Sequence, residues 1–460
     1  MGSNEAEDGG RTLNAAGRNV VRICRFASAL VVLASFAAGH ANAKSSKDTQ
    51  AARLNNALTG ENKAIHHRHA KVYDQAQDPA PKPRWYGGAE YLLWWVKGAP
   101  LSVPLVSTGP ASTDEGILRS SQSTILYGAP FAPASGGNNT QNFKAFSGAR
   151  LTAGYWLDDA QHLAVEASGF LLQRQSAGFY AQGDSTGSPG LSIPLYNSLP
   201  YRPGGACDPT GLCAIPLQED RAPVSVPGSL TGSVSISNTL QLWGFNADAV
   251  MNFTRTPTWE LSGLAGFRYL NLFETFNLHT TLVGLPNTMY ATQSGYTNDE
   301  FDTRNQFYGA LLGLRGRYTY QRFSAEATAS LALGVSRETI GIAGFYQDFN
   351  YMNPYPSGPE GIFAMPSNEG ISSSSRFAYV PEAQIKLGYD ITPAVRVTVG
   401  YDFLFYSNVV RPTDQIDRNV PKGEYFREDP AVLSYTSPAR LDNTTNFYAQ
   451  GLSLGLAIRY

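Results

Sequence analysis

Apolar and polar residues alternate with period two in one stretch of this chain after another. In 447–460, Tyr448, Leu452, Leu454, Leu456, Ile458 and Tyr460 fall on one side. Phe447, Ala449, Gly451, Ser453, Gly455, Ala457 and Arg459 fall on the other. The first face is branched and apolar with aromatics near both ends; the second is small, with one charge. Such a face suits lipid, with its aromatics at the membrane–water boundary, and Tyr460 is expected to serve assembly as the terminal aromatic. The alternation recurs at 85–96, 147–157, 162–172, 241–253, 259–270, 306–318, 323–336, 377–389 and 395–406. The cleanest is 323–336, where Phe323, Ala325, Ala327, Ala329, Leu331, Leu333 and Val335 oppose Ser324, Glu326, Thr328, Ser330 and Ser336. In 85–96, Leu92 and Trp94 blur a face on which Ala89, Tyr91, Leu93 and Trp95 oppose Glu90.

Connection lengths alternate as well. Segments 158–161, 254–258, 319–322 and 390–394 have four or five residues; 97–146, 174–240, 273–304, 337–376 and 407–446 each exceed thirty. Outer-membrane barrels join their strands by short periplasmic turns and long outer loops. The pattern therefore predicts an all-β fold: a single transmembrane antiparallel up-and-down β-barrel of ten strands, with both ends in the periplasm. Segments 124–127 and 233–237 are also strand-like, which leaves twelve strands as the alternative.

Composition narrows the classes. The 460 residues are 16% charged and 12% aromatic, with net charge −2, which argues against a nucleic-acid partner. No apolar run is long enough for a spanning helix. Arg11, Arg18, Arg22 and Arg25 precede an apolar run at 26–38, and Ala41-Asn42-Ala43 follows with small residues where a signal peptidase reads. Residues 1–43 are expected to be a signal peptide, 44–84 a polar periplasmic tail and 85–460 the barrel. Cys24 would leave with the signal. Cys207 and Cys213, six apart in a Gly/Pro-rich loop, are the disulfide candidate in an exported chain. His66, His67 and His69 lie in the tail, where no rigid scaffold fixes a metal geometry. No metal and no cofactor are expected.

Several stretches also carry a resemblance. They are Ala89-Glu90-Tyr91-Leu92-Leu93-Trp94-Trp95 with Lys97-Gly98 and Pro100-Leu101, Gly154-Tyr155-Trp156 before Asp158-Asp159, and Leu242-Trp243-Gly244. Then come Leu264-Ala265-Gly266-Phe267-Arg268-Tyr269-Leu270 and Thr303-Arg304-Asn305-Gln306-Phe307-Tyr308-Gly309. Last are Tyr406-Ser407-Asn408-Val409-Val410-Arg411-Pro412, Asp414-Gln415-Ile416-Asp417-Arg418 and Ala449-Gln450-Gly451-Leu452. On these the sequence resembles the putative beta barrel porin-7 family of exported bacterial proteins. It departs at 101–105, Leu-Ser-Val-Pro-Leu, where such sequences tend to read Leu-Pro-Pro-Leu. The resemblance implies a barrel and supplies no catalytic or ligand-binding residues.

The face opposite the lipid carries Glu90, Arg150, Glu166, Asp248, Glu260, Arg268, Arg315, Arg317, Glu326, Glu382, Lys386, Arg396 and Asp402. In a wide pore such charges select solutes. In a narrow barrel they pair across the lumen, and barrels near eight strands are filled by side chains. Pairing of Glu166, Glu260 and Glu326 with Arg150, Arg315 and Arg396 is the expected form of a plug. Metal-spaced histidines are missing and no enzyme is expected, with a loop carboxylate site as the residual possibility. The function expected is porin-like passive diffusion of small solutes, or a structural barrel with surface-exposed loops. A non-conducting adhesive or envelope-structural barrel is the alternative. The expected location is the bacterial outer membrane. The expected partners are the lipid bilayer, lipopolysaccharide and the outer-membrane assembly machinery.

Overall fold

A computed structural model describes residues 83–110, 116–198, 218–349, 357–421 and 436–459. The expected signal peptide, the tail up to residue 82, Cys207, Cys213 and Tyr460 lie outside the described residues.

Ten strands form one closed wall. They are β1 (Trp85–Val96), β2 (Phe146–Trp156), β3 (Leu163–Leu172), β4 (Leu230–Arg255), β5 (Trp259–Gly284), β6 (Ser294–Tyr320), β7 (Phe323–Asp348), β8 (Gly370–Asp390), β9 (Val395–Val410) and β10 (Thr444–Arg459). Each pairs antiparallel with the next. β10 pairs back to β1, from Tyr86 opposite Arg459 to Val96 opposite Ala449, and this closes the ring. At the β2–β3 turn, Asp158 accepts the backbone N–H groups of His162 at 3.0 Å and Leu163 at 2.8 Å, which holds its carboxyl below the usual carboxylate range. Gln161 there and Gln321 between β6 and β7 take positive φ, as such tight reversals require.

The outward face carries an apolar band between two aromatic girdles. At the short-turn end Trp85 meets Tyr155 at 4.7 Å, Trp259 meets Tyr318 at 4.8 Å and Phe323 meets Tyr389 at 5.1 Å. Further along, Tyr269 lies 5.1 Å from both Trp243 and Tyr308. From Trp259 to Tyr269 a tilted strand climbs roughly 25 Å, the height of a barrel's lipid-facing band.

β4 to β7 run well past the second girdle, for 26 or 27 residues each. Their outward residues there are polar: Ser235 and Ser237, Asn277 and His279, Asn298 and Glu300. This corrects the expected loops at 174–240, 273–304 and 337–376. Much of each is wall, missed because outward residues turn polar above the lipid band. Segment 233–237 extends β4, and 124–128 belongs to a second sheet, so neither adds to the ten.

That second sheet runs in the order 218–225, 191–197, 104–108, 124–128, 135–136, with 419–420 joined to 191–197. Its buried residues, including Leu105, Val106, Ile193 and Leu195, share one core with Val234, Ile236, Phe276, Leu278, Phe301, Ile340 and Ile342 of the extended strands. The long connections thus fold inward and fill the tall end of the barrel.

Below this cap the wall supplies its own apolar layer. β1 gives Leu92 and Trp94, β2 Phe146, β3 Leu172, β4 Leu242, β5 Leu270 and Leu272, and β6 Phe307. β7 gives Ala332, β8 Ala378 and Val380, β9 Leu404 and Tyr406, and β10 Phe447; none of these residues is more than 1% exposed. All ten strands contribute, and the lumen at this level is filled by side chains.

Facing can be tested at adjacent residues of β7. Ala329 lies on the lipid face opposite Leu314 and Ala383, while Ser330 lines the lumen opposite Glu382. Ala329→Arg is expected to cost about 2–4 kcal/mol and to reduce the heat-modifiable folded form on gels. Ser330→Arg, beside a carboxylate, is expected to leave that form intact.

Candidate functional site: a charged vestibule under an apolar plug

At the short-turn end the lumen opens into a cavity of about 610 Å³, bounded by turn residues Pro257 and Pro393 and by Thr319 at the end of β6, and reaching inward to Leu264 and Leu311. Glu90, Arg150, Glu166, Asp248, Glu260, Arg268, Arg315, Arg317, Glu326, Glu382, Lys386 and Arg396 all line it. Asp402 lies just behind, 2.9 Å from Arg150. The structure therefore brings the thirteen expected lumen charges into one part of the lumen.

Register decides much of the pairing, because directly opposed residues on neighbouring strands place their Cβ atoms about 5 Å apart. Arg317 lies opposite Glu326 on one side and Glu260 on the other, and bonds them at 2.5 and 3.4 Å. Arg150 lies opposite Glu90 and bonds it at 3.0 Å. Arg396 lies opposite Asp390 and bonds it at 2.6 Å. Other bonds cross the lumen. Arg315 reaches Glu166 at 2.7 Å, Arg268 reaches Glu382 and Lys386 reaches Glu90, while along the wall Tyr86 donates over Gly154 to Glu166 at 2.9 Å. Asp248 faces Glu166 across β3 and β4, a like-charge neighbour.

Of the expected pairings only Glu166 with Arg315 forms. Glu260 and Glu326 share Arg317, Arg150 serves Glu90, Glu382 and Asp402, and Arg396 serves Asp390. The partners differ because cross-strand register, which the hydrophobic pattern alone does not give, outweighs charge count. A second correction concerns what closes the barrel. The charges occupy the short-turn part of the lumen, while the apolar layer fills the cross-section above them. The Arg150 guanidinium stands 5.5 Å from the Trp94 ring centroid and joins the two layers.

A knot of buried polar groups ties plug to wall. Arg411 donates to Glu274 through Nε at 2.8 Å and Nη2 at 2.5 Å, and to the Gly98 carbonyl at 2.6 Å. The Asn305 side chain bonds both the N–H and the C=O of Val410, at 2.8 and 2.9 Å. Thr413 donates to the Pro100 carbonyl, Ser102 to Asp414, and Gln415 to the Asn443 carbonyl at 2.9 Å. Arg411, Glu274 and Asn305 were invisible to charge and period reasoning. The signal for Arg411 and Asn305 was the set of family-like stretches at 97–101, 303–309 and 406–418, which meet here; Glu274 lies in none of them. Higher up, well beyond the second girdle, buried Asp299 accepts three backbone N–H groups, from Ile362 at 3.0 Å and from Phe363 and Ala364 at 2.7 Å. Burial pushes its carboxyl up to about 6 against the pull of those donors.

Of the two histidines among the described residues, His162 sits beside Asp158 at a turn and His279 stacks near Tyr296 at 5.5 Å. No group of three or more metal-binding side chains occurs among the described residues.

A closed antiparallel ring with a lipid-facing apolar band, two aromatic girdles and short turns at one end is an outer-membrane β-barrel of the bacterial envelope. The chain belongs to the family described as Putative beta barrel porin-7 (BBP7), whose model matches residues 86–460. Among solved structures, it is similar to the outer membrane protease OmpT from Escherichia coli, at 9% identity and TM-score 0.40, over 83% of this chain and 98% of that one. It is also similar to a FadL homologue from Pseudomonas aeruginosa, at 13% identity and TM-score 0.25, over 82% and 90%. No curated protein matches.

Arg411→Met leaves Glu274 buried and unpaired, so it is expected to lower stability by about 3–5 kcal/mol. Adding Glu274→Leu is expected to recover part of the loss in a urea titration of the refolded barrel. For Asp299 the sign follows from its raised value. The fold holds that proton more tightly than the unfolded chain, whose value is about 3.9. Its contribution is complete below that and disappears as pH rises through about 6. The melting-temperature difference between wild type and Asp299→Asn is therefore expected to shift against the wild type between pH 5 and pH 7.5.

Proposed function

We propose that this protein is a non-conducting, non-catalytic barrel that holds a folded cap at the cell surface. One observation carries the reading: every strand of the wall sends at least one inaccessible apolar side chain into the same layer of the lumen. Water and ions cross such a layer only if it unfolds, since a dry apolar constriction excludes them. The porin-like alternative, passive diffusion of small solutes, would require the plug to leave. The knot at Arg411 and the common core of cap and wall oppose that. Asp299, a carboxylate on the upper part of β6, is occupied by three backbone donors, which argues against its use as a base. A cap stiffened by extended strands suits surface structure or contact with other envelope components.

Planar-bilayer recording of the refolded protein tests this reading. Silent membranes are expected at protein levels that give folded, heat-modifiable barrel. Unitary steps from the wild type would establish the pore instead. Trp94→Ala with Phe307→Ala, which thins the plug, is expected to introduce leak.

A further inference from the structure

Most arginines of the wall have carboxylate partners. Three exposed ones without a carboxylate partner among the described residues, Arg174, Arg304 and Arg337, gather on one part of the outer wall, while Arg255 and Arg322, which also lack one, lie at the short turns. Arg304 on β6 lies opposite Phe273 of β5, and Arg174, just after β3, holds its guanidinium 5.5 Å from the centroid of that same ring. Arg337 on β7 lies opposite Gln306, two residues along from Arg304. By strand spacing the three fall within about 15 Å of one another. Arg304 is also held in place, since its Nε donates to Asn271 at 2.8 Å, and Asn271 is buried one outward step above Tyr269. Both of its terminal nitrogens remain unpartnered among the described residues. Asp302 and Glu300 take the next outward positions of β6 away from the membrane, so the basic patch is confined to the membrane side.

Depth matters as much as charge. The patch stands just above the girdle of Trp243, Tyr269 and Tyr308, where the headgroups of the outer leaflet lie. Lower on the same sector, between β3 and β7, the lipid-facing wall is hollowed by an apolar groove of about 700 Å³. Ala249, Ala265 and Ala329 line it among Phe253, Leu312 and Leu331. A cationic patch above and an apolar groove below, on the same strands, match the two ends of one lipid.

We propose that this sector binds a phosphorylated lipid of the outer leaflet, with its phosphate on Arg174, Arg304 and Arg337 and an acyl chain in the groove. Guanidinium forks suit phosphate oxygens, and Phe273 and Asn271 orient two of them in advance. The proposal is independent of whether the lumen conducts.

The test is native mass spectrometry of the barrel released from nanodiscs doped with bisphosphorylated lipid A. Wild type is expected to retain it, and the triple variant Arg174→Gln, Arg304→Gln, Arg337→Gln to retain at least tenfold less. The triple Lys variant should keep intermediate retention, which separates loss of charge from loss of fold. Dephosphorylated lipid A should be lost from wild type as readily as lipid A is lost from the Gln variant. Three outcomes would overturn the proposal: equal retention by wild type and Gln variant, equal retention of the dephosphorylated form, or displacement of lipid A by millimolar inorganic phosphate, which would mark a site for free anion. A Leu331→Trp variant, filling the groove, is expected to weaken retention with all three arginines present, and no change would refute the acyl-chain half of the proposal.

Discussion

The bilayer core offers no water to an unpaired backbone N–H or C=O, and from that one constraint the architecture follows. Each unsatisfied group there costs several kcal/mol, so a spanning sheet must close on itself. Here closure falls on the pairing of β10 with β1, the pair farthest apart in sequence, from Tyr86 opposite Arg459 to Val96 opposite Ala449. Once the ring is closed at ten strands, its interior is too wide to be ignored and too narrow for a broad channel. Something must fill it, and the fill has two chemistries at two depths.

Near the short turns the fill is ionic, and higher up it is apolar. Moving a charge into a dry interior is costly unless its partner and further hydrogen bonds come with it. At the vestibule, solvent still reaches Arg317 and Glu326, whose side chains are 26% and 18% exposed. The pairs there need to offset less desolvation than they would deeper in. Arg411 and Glu274 show the opposite case. They are buried almost completely, and they persist because Arg411 also bonds the Gly98 carbonyl and stands 5.6 Å from the Phe447 ring centroid. An isolated ion pair at that depth would favour replacement by apolar side chains, whereas one that also ties three segments of chain sets the path of the plug.

How much could be read in advance followed from which neighbour a side chain meets. Lipid is the same everywhere, so Ala325, Leu331 and Leu333 announce the outer face by alternation alone. Inside, the neighbour is another part of the chain. Leu92 and Trp94 looked like noise on β1 because both faces of that strand are apolar there, one toward lipid and one toward the plug. The upper halves of β4 to β7 were read as loops because Ser235, Asn277 and Asn298 face water, and the period persisted with reversed polarity. The charges of the vestibule were found as a set, yet most of their pairings were not, since a bond such as Arg268 to Glu382 depends on curvature that brings β5 over β8. Arg411 gave no signal in charge or period, only its place in a family-like stretch. Its meaning resides in contacts with 97–98, 274 and 447, which only the closed fold assembles.

The plug and the cap form a continuous interior, and this bears on what the long connections are for. Had the lumen been sealed by the vestibule charges alone, the long connections could vary freely as outer cover. Instead Val410 and Ile416 leave β9 directly into the core that Ile193, Phe276 and Ile340 share, and Asp299 draws 362–364 into it from the far side. Because strands β4 to β7 rise above the membrane and bury one face against this core, the wall and its filling stiffen each other. Among the described residues, β4 to β7 carry regular structure well above the membrane. A cap tied to the wall in this way is what the proposed non-conducting reading calls for, since passing a solute would require that shared core to come apart.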